Sequence, residues 1–320
     1  MEIGLVKELG GGGRDGRVPL MPPEVAALTA AGHRVFVEQG AGGEVYVTDA
    51  AWQQAGAVVV ATAVEAWQRD LVVKIKAPTE KEAALLRPGA LVLTMLHAEQ
   101  SPQNLAYILR AGARAIAMES VCNQYGERLF DCTEMSGSQA MLAAFHYIER
   151  IPEECRVLVM GYGRVATGAI NMASRLGAHV KILRRTMHGD IAHHLKDVHI
   201  LVNGLSWPKV MRDQQTYLVP RSMLGLMARP AMVVDVAVDE PGPIETCRAT
   251  SMHEPVYWVD GVRHMCIYGY PALASVSSCE RYSRQALPVI LEIGASGGKG
   301  PFSAFLQNAM FGDGANLEST

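Results

Sequence analysis

Four side chains in the first 120 residues have the types and the placement for chemistry on a small charged ligand. Leu71 to Ala77 and Ala90 to Leu96 each read as a buried strand, and each stops at a polar group, Lys76 ahead of Pro78 and then His97. Ala113 to Glu119 gives a further strand ending in a carboxylate, Glu119. Open α/β sheets gather ligand chemistry at the carboxyl ends of their strands, so Lys76, His97 and Glu119 fall where a site belongs. Arg17 adds a cation at the firm end of a glycine-rich loop that begins with Gly10 to Gly13. Histidine exchanges protons near neutral pH, while lysine and arginine hold an anion, arginine through a planar fork. Each residue has a plainer reading. A strand-end histidine alone is more often structural, and Lys74 with Lys76, which alternation puts on one face, could be a solvent-facing pair at a sheet edge. Leu71-Val72-Val73 argues for an interior strand, and the parallel placement of Lys76 and His97 favours the chemical reading.

A second stretch carries a different chemistry. Val157 to Met160 is an apolar run of strand length, followed by Gly161-Tyr162-Gly163-Arg164-Val165-Ala166, a proline-free helical stretch and another apolar run, Val180 to Leu183. This is the strand-turn-helix-strand setting of a dinucleotide site. Gly161 permits the tight turn, Gly163 lets backbone approach a pyrophosphate, and Ala166 fills the third small position. Arg164 and Val165 open the helix whose N–H groups would meet the phosphates. Ser136 and Leu205 complete the expected cofactor contacts. An acidic residue at the end of the second strand would hydrogen-bond a ribose 2′-OH; Arg184 and Arg185 stand there instead, with no carboxylate before Asp190. NADP(H) is therefore favoured over NAD(H). The alternative is that the two arginines form a solvated loop.

These residues need a scaffold of alternating strands and helices. Glu2 to Lys7, the Pro22-Pro23-Glu24 helix start and Arg34 to Glu38 open the chain as β-loop-α-β, and short helices are expected at Asp49 to Ala55 and Ala61 to Gln68. Met135 to Arg150 reads as a helix leading into the dinucleotide unit. Ile200 to Leu205 and Ala231 to Asp239 read as strands with polar ends, Asp260-Gly261 as a hairpin turn, and Ser277 to Ile293 as a final helix. The expected class is α/β, with two Rossmann-like doubly wound domains and a cleft between them. At 320 residues two domains are expected. A net charge of −3 gives no general field for nucleic acid or anionic lipid. No apolar run reaches the roughly 18 residues that span a bilayer, the N-terminus reads as a strand, and the six cysteines show neither CxxC nor metal spacing. A cytoplasmic protein with reduced thiols and no bound metal is the expectation.

Together, Gly16-Arg17-Val18, Lys74-Ile-Lys76-Ala-Pro78, Leu96-His97, Met118-Glu119, Gly161-Tyr-Gly163, Val234-Asp235-Val-Ala-Val-Asp239 and Glu254-Pro255-Val256 resemble the alanine dehydrogenase and pyridine nucleotide transhydrogenase group. The likeness runs through nearly the whole chain. Lys181-Ile-Leu-Arg-Arg, Leu201-Val-Asn-Gly and Val256-Tyr-Trp-Val-Asp-Gly-Val look closest to carboxyethylornithine synthase. The resemblance implies that Arg17 and Lys76, with Glu119, meet a 2-oxo acid, that His97 is the acid/base, and that Asp239 faces nicotinamide and amine. It implies a homo-oligomer and a discontinuous substrate domain, 1–135 plus 277–320, with residues 136–276 inserted as the cofactor domain. Two departures from alanine dehydrogenases are Arg184 in place of an acid and Gly269 in place of an asparagine. The expectation is an NADP(H)-dependent reductive condensation of a 2-oxo acid with an amino-acid amine. Alanine dehydrogenase-like chemistry is the alternative, and a nucleotide-binding regulator without turnover is an alternative of another class.

Overall fold

The computed structural model describes residues 1–8 and 16–312; the loop at 10–13 and the end of the tail lie outside the described residues. The chain packs as two units, Met1–Asp131 with Ser275–Thr320, and Cys132–Ala274.

The first unit runs β1 (Glu2–Leu5), α1 (Pro22–Ala30), β2 (Arg34–Glu38), α2 (Asp49–Gln54), β3 (Val58–Val60), α3 (Ala63–Trp67), β4 (Leu71–Lys76), α4 (Glu80–Ala83), β5 (Leu91–Met95), α5 (Pro102–Arg110) and β6 (Arg114–Ala117). Pro22 and Pro102 sit in the first turns of their helices, and Thr62 and Thr79 start α3 and α4 with capping boxes to Glu65 and Glu82. The six strands are parallel in the order β6-β5-β4-β1-β2-β3. The chain leaves β1 toward β2 and β3, then returns to the other side of β1 as β4. Between β1 and β4 lies the topological switch point, outside whose strand ends such sheets bind ligands. Leu71, Val72 and Val73 are fully buried, each stabilising the interior strand by about 1.5–3 kcal/mol relative to exposure. The short edge strand β3 is an addition to the sequence reading, and the strand expected to reach Glu119 ends at Ala117 and tightens into a turn at Met118–Ser120.

The second unit runs α6 (Thr133–Tyr147), β7 (Arg156–Met160), α7 (Arg164–Arg175), β8 (His179–Leu183), α8 (Ile191–Leu195), β9 (Ile200–Asn203), α9 (Lys209–Asp213), β10 (Met232–Asp235), β11 (Val256–Val259) and β12 (Val262–Met265). Its order is β11-β12-β10-β9-β7-β8, with β11 alone antiparallel. The switch point falls between β7 and β9. The β11–β12 turn has Asp260 at φ 49° and Gly261 at φ 73°, the pair of left-handed residues an Asp-Gly hairpin needs. The strand expected to run to Asp239 stops at Asp235, because that carboxylate accepts from the Ala237 and Val238 amides and bends the chain out of the sheet. The chain then returns to the first unit through α10 (Ser275–Ala295), α11 (Ala304–Asn308) and β13 (Met310–Phe311), which pairs antiparallel with β6.

Helices α6 and α7 meet backbone to backbone. A Cβ on Gly168 would lie 1.9 Å from the Glu134 carbonyl oxygen, and one on Gly137 would lie 1.9 Å from that of Val165. Gly168→Ala is therefore expected to cost about 2–3 kcal/mol in urea unfolding. Gly163→Ala, where a Cβ meets nothing within 4 Å, should stay within about 0.5 kcal/mol of the parent. Equal stabilities for the two variants would refute the close crossing.

Candidate functional site

In the first unit, neighbouring strand ends present Lys76 and His97. Lys76 is the last residue of β4 and pairs with Met95, the last of β5, two positions before His97. His97 adopts φ 48°, a left-handed backbone that a non-glycine residue keeps only when its surroundings impose it. The surroundings are visible. Glu119 accepts from Leu96 N at 3.0 Å through Oε2 and from His97 N at 2.5 Å through Oε1. The amides of Gln100 and Ser101 donate to the His97 carbonyl, and Asn104 donates to that of Leu96. Glu119, read from sequence as a substrate contact, thus has each carboxylate oxygen on a backbone amide of the β5 end.

The β4 end is held in a similar way. Lys74 is completely buried, with Nζ 2.7 Å from Glu8 Oε2 and 3.3 Å from Glu82 Oε1. Burial pulls its pKa down, but the two carboxylates outweigh it and hold Lys74 above the usual lysine range. The strand register shifts between Val73 and Lys76, a bulge that interrupts the alternation from which Lys74 and Lys76 were expected to share a face. Lys74 is a structural ion-pair residue and Lys76 is only partly buried. Arg17 is buried, its guanidinium 6.0 Å from the ring centre of Tyr282 on α10. Its segment is tied to that helix by Val18 N to Cys279 Sγ and Met21 N to Ser283 Oγ.

In the second unit the glycine turn has the shape a dinucleotide requires. Gly161 has φ 99°, and a Cβ there would lie 2.9 Å from Leu205 Cδ2. Gly163 caps α7 without any side-chain hydrogen bond, beside open space. Ala166 is buried, 2.9 Å from where a Gly204 Cβ would stand, so the third small position packs against the β9 end. Arg184 and Arg185 are exposed at the end of β8. The Ser136 hydroxyl donates to the Cys132 carbonyl inside α6. Such a glycine turn at a helix N-terminus, with open space beside Gly163, fits a pyrophosphate.

Comparison with known proteins gives matches to both halves of one family. The alanine dehydrogenase/PNT N-terminal domain matches residues 4–138 and the corresponding C-terminal domain residues 183–319. The chain belongs to the alanine dehydrogenase/PNT family. Alanine dehydrogenase from Methanococcus maripaludis is 29% identical, covering 99% of this chain and 92% of its own. Alanine dehydrogenase 1 of Staphylococcus aureus is 28% identical, covering 99% and 93%. Among solved structures, an L-alanine dehydrogenase superposes with a TM-score of 0.82 at 28% identity over 93% of this chain and 91% of its own. A transhydrogenase from Sinorhizobium meliloti gives 0.78 at 25% identity over 91% and 93%. As a member of this family the chain is an oxidoreductase with a pyridine nucleotide cofactor.

In this alanine dehydrogenase/PNT chain, two aspartates tie the loops after β9 and β10 together. Asp239 accepts from Trp207 N at 2.8 Å and lies 3.4 Å from Arg212. Asp235 is fully buried and accepts from Asn203 Nδ2 at 2.9 Å, while Asn203 Oδ1 accepts from Leu205 N. Sequence reasoning missed Glu8, Glu82, Asn203 and Asp235 as partners. A lysine inside an apolar strand was the signal for the first two, and a polar residue at each of two adjacent strand ends was the signal for the others. Burial pushes the Asp235 carboxyl up to about 6, against hydrogen bonds from Val238 and Asn203, and the nearby Asp239 charge acts the same way as burial. The folded state therefore binds the proton more tightly than the unfolded one. Stability from this group is full below about pH 4 and is lost as pH rises through 6. Relative to Asp235→Asn, the parent should lose about 2–3 kcal/mol between pH 4 and pH 7.5. A stability difference that stays constant over that range would show an ordinary carboxylate.

Proposed function

We propose that this chain interconverts a 2-oxo acid plus an amine with an amino acid, using NADP(H). The observation that carries the reading is the pair of adjacent strand ends of β4 and β5, beside the switch point, with a cation at one and a histidine in an imposed backbone conformation at the other. Lys76 and Arg17 would hold the oxo-acid carboxylate, Arg17 by a bidentate fork. His97 would give and take the proton at the reacting carbonyl or imine nitrogen. Asp239 would receive the amine. Gly161, Gly163, Arg164 and Val165 would hold the pyrophosphate beside Leu205, with Ser136 from α6. When bound, the cofactor supplies the hydride; the protein supplies charge and orientation.

Ammonia as the amine gives an alanine dehydrogenase-like reaction, the reading that the relatives' names favour. Condensation with an amino-acid amine, as in carboxyethylornithine synthase, is favoured by Gly269. This glycine has φ 104° and no side chain where the resemblance places an asparagine, a departure that counts against simple alanine chemistry. Pyruvate and NADPH supplied with ammonia or with ornithine decide between them through the product. Alanine from ammonia alone would remove the condensation reading, and an N-carboxyethyl product from ornithine alone would remove the ammonia reading. Turnover with neither, alongside tight NADPH binding, would identify a nucleotide-binding regulator.

Arg184 at the end of β8 would read the 2′-phosphate, with Arg185 beside it. Arg184→Asp is expected to weaken NADPH by about 1.5–3 kcal/mol, roughly ten- to a hundred-fold, and NADH far less. Equal weakening would place Arg184 outside the phosphate pocket. His97→Gln should lower kcat by about 10²–10⁴ with little change in cofactor affinity. Lys76→Met should raise KM for the oxo acid as well, because it removes charge that binds the ground state. Near-parent turnover in His97→Gln with a dead Lys76→Met would move the proton to the lysine.

A further inference from the structure

The β1–β4 ladder runs Ile3–Leu71, Gly4–Val72 and Leu5–Val73, and there it stops. On the other side, β5 loses regular register over the same stretch, from Val73 to Lys76. The buried Ile75 is thus skipped by both neighbouring ladders at the point where the chain must present Lys76, which itself pairs again with Met95. A buried N–H with no acceptor is costly, so something must replace the ladder. Glu8 replaces it. Three residues beyond β1, its fully buried carboxylate accepts from Ile75 N and, at 3.4 Å, from Lys76 N, while Lys74 Nζ sits 2.7 Å away. Neutralising Lys74 does not by itself call for Glu8, since Glu82 lies 3.3 Å from the same ammonium and is fixed by Thr79 N and Oγ1 at 2.8 Å.

We propose that Glu8 is a positioning residue for oxo-acid binding: its carboxylate, anchored on Lys74, stands in for the missing strand and fixes where Lys76 leaves the sheet. The inference rests on the reading of Lys76 as an oxo-acid contact. Lys74 is then the anchor of the carboxylate, with no contact to substrate of its own. The bulge matters because a strand end with unmatched amides can relax in more than one way, and a cation displaced by about 1 Å loses much of its hold on a carboxylate.

The test separates the acceptor from the charge. Glu8→Leu with Lys74→Met removes the buried ion pair without stranding the lysine, a replacement that buried pairs often tolerate, and also removes the acceptor for the two amides. Glu8→Gln with Lys74→Met removes the same charges and restores an acceptor oxygen. KM for pyruvate is measured with NADPH for both, beside Lys76→Met and with NADPH affinity as the control for an intact second unit. The expected result is a KM at least about ten-fold higher for the leucine pair than for the glutamine pair, at equal NADPH affinity. Should the leucine pair fail to fold, Glu8→Asp serves instead. It keeps a charge for Lys74 but withdraws the carboxylate by one methylene, and KM should again rise by about ten-fold. Equal KM values for the leucine and glutamine pairs, or a parent KM in Glu8→Asp, while Lys76→Met raises KM, overturn the positioning role alone. An unchanged KM in Lys76→Met overturns the oxo-acid reading and this inference with it.

Discussion

An ammonium group with no exposure to water, in the interior strand of a parallel sheet, is the constraint around which the first unit is arranged. Lys74 could not be there uncompensated, since an isolated buried charge costs several kcal/mol. Two carboxylates answer it. One comes from the segment after β1 and the other from the first turn of α4. Because Glu8 also takes the amides of the bulge, the demand for a counter-charge becomes a constraint on backbone geometry. Glu119 does the corresponding work one strand away, where its two oxygens hold Leu96 and His97 N–H groups and the left-handed turn between them. Both strand ends at the centre of the candidate site are therefore finished by side-chain carboxylates.

The second unit solves a different problem, the close approach of backbone to backbone. Gly161 faces Leu205 across the switch point, Ala166 lies against Gly204, and Gly137 and Gly168 let α6 and α7 touch through main chain. A side chain at Gly137 or Gly168 would push α6 and α7 apart. Asp235 and Asn203 then link the β9 and β10 loops, so Leu205 and Asp239 are placed by one buried network.

Much of the fold was legible because its cause is local and periodic. Apolar runs of strand length, proline at helix starts, Gly161-x-Gly163 after a strand and Asp260-Gly261 before another each carry their own geometry. Strand ends were legible for the same reason: β4 ends at Lys76 and β5 two residues before His97. What stayed hidden was pairing at long sequence separation. Glu8 and Lys74 are 66 residues apart, and Leu96 and Glu119 are 23 apart. From sequence a carboxylate at a strand end looks the same whether it meets a ligand or an amide, which is why Glu119 was read as a ligand contact. The register shift between Val73 and Lys76 stayed hidden because such an irregularity has no signature in residue type, and the β10 strand was drawn too long because Asp235 and Asp239 are chemically alike.

The order in which the chain is made adds a consequence. Strand β13, near the last described residue, is what covers the open edge of β6, and α10 supplies the Cys279 and Ser283 atoms that fasten the segment bearing Arg17. A chain growing from its N-terminus has β1 to β6 in hand long before either exists. It waits through the whole inserted unit with an uncovered sheet edge, and such an edge is a template for wrong pairing. The second unit, drawn from one continuous stretch, can close first. Lys76 and His97 thus lie on strands that are made early, while the segment of Arg17 is fastened only when the final helix arrives.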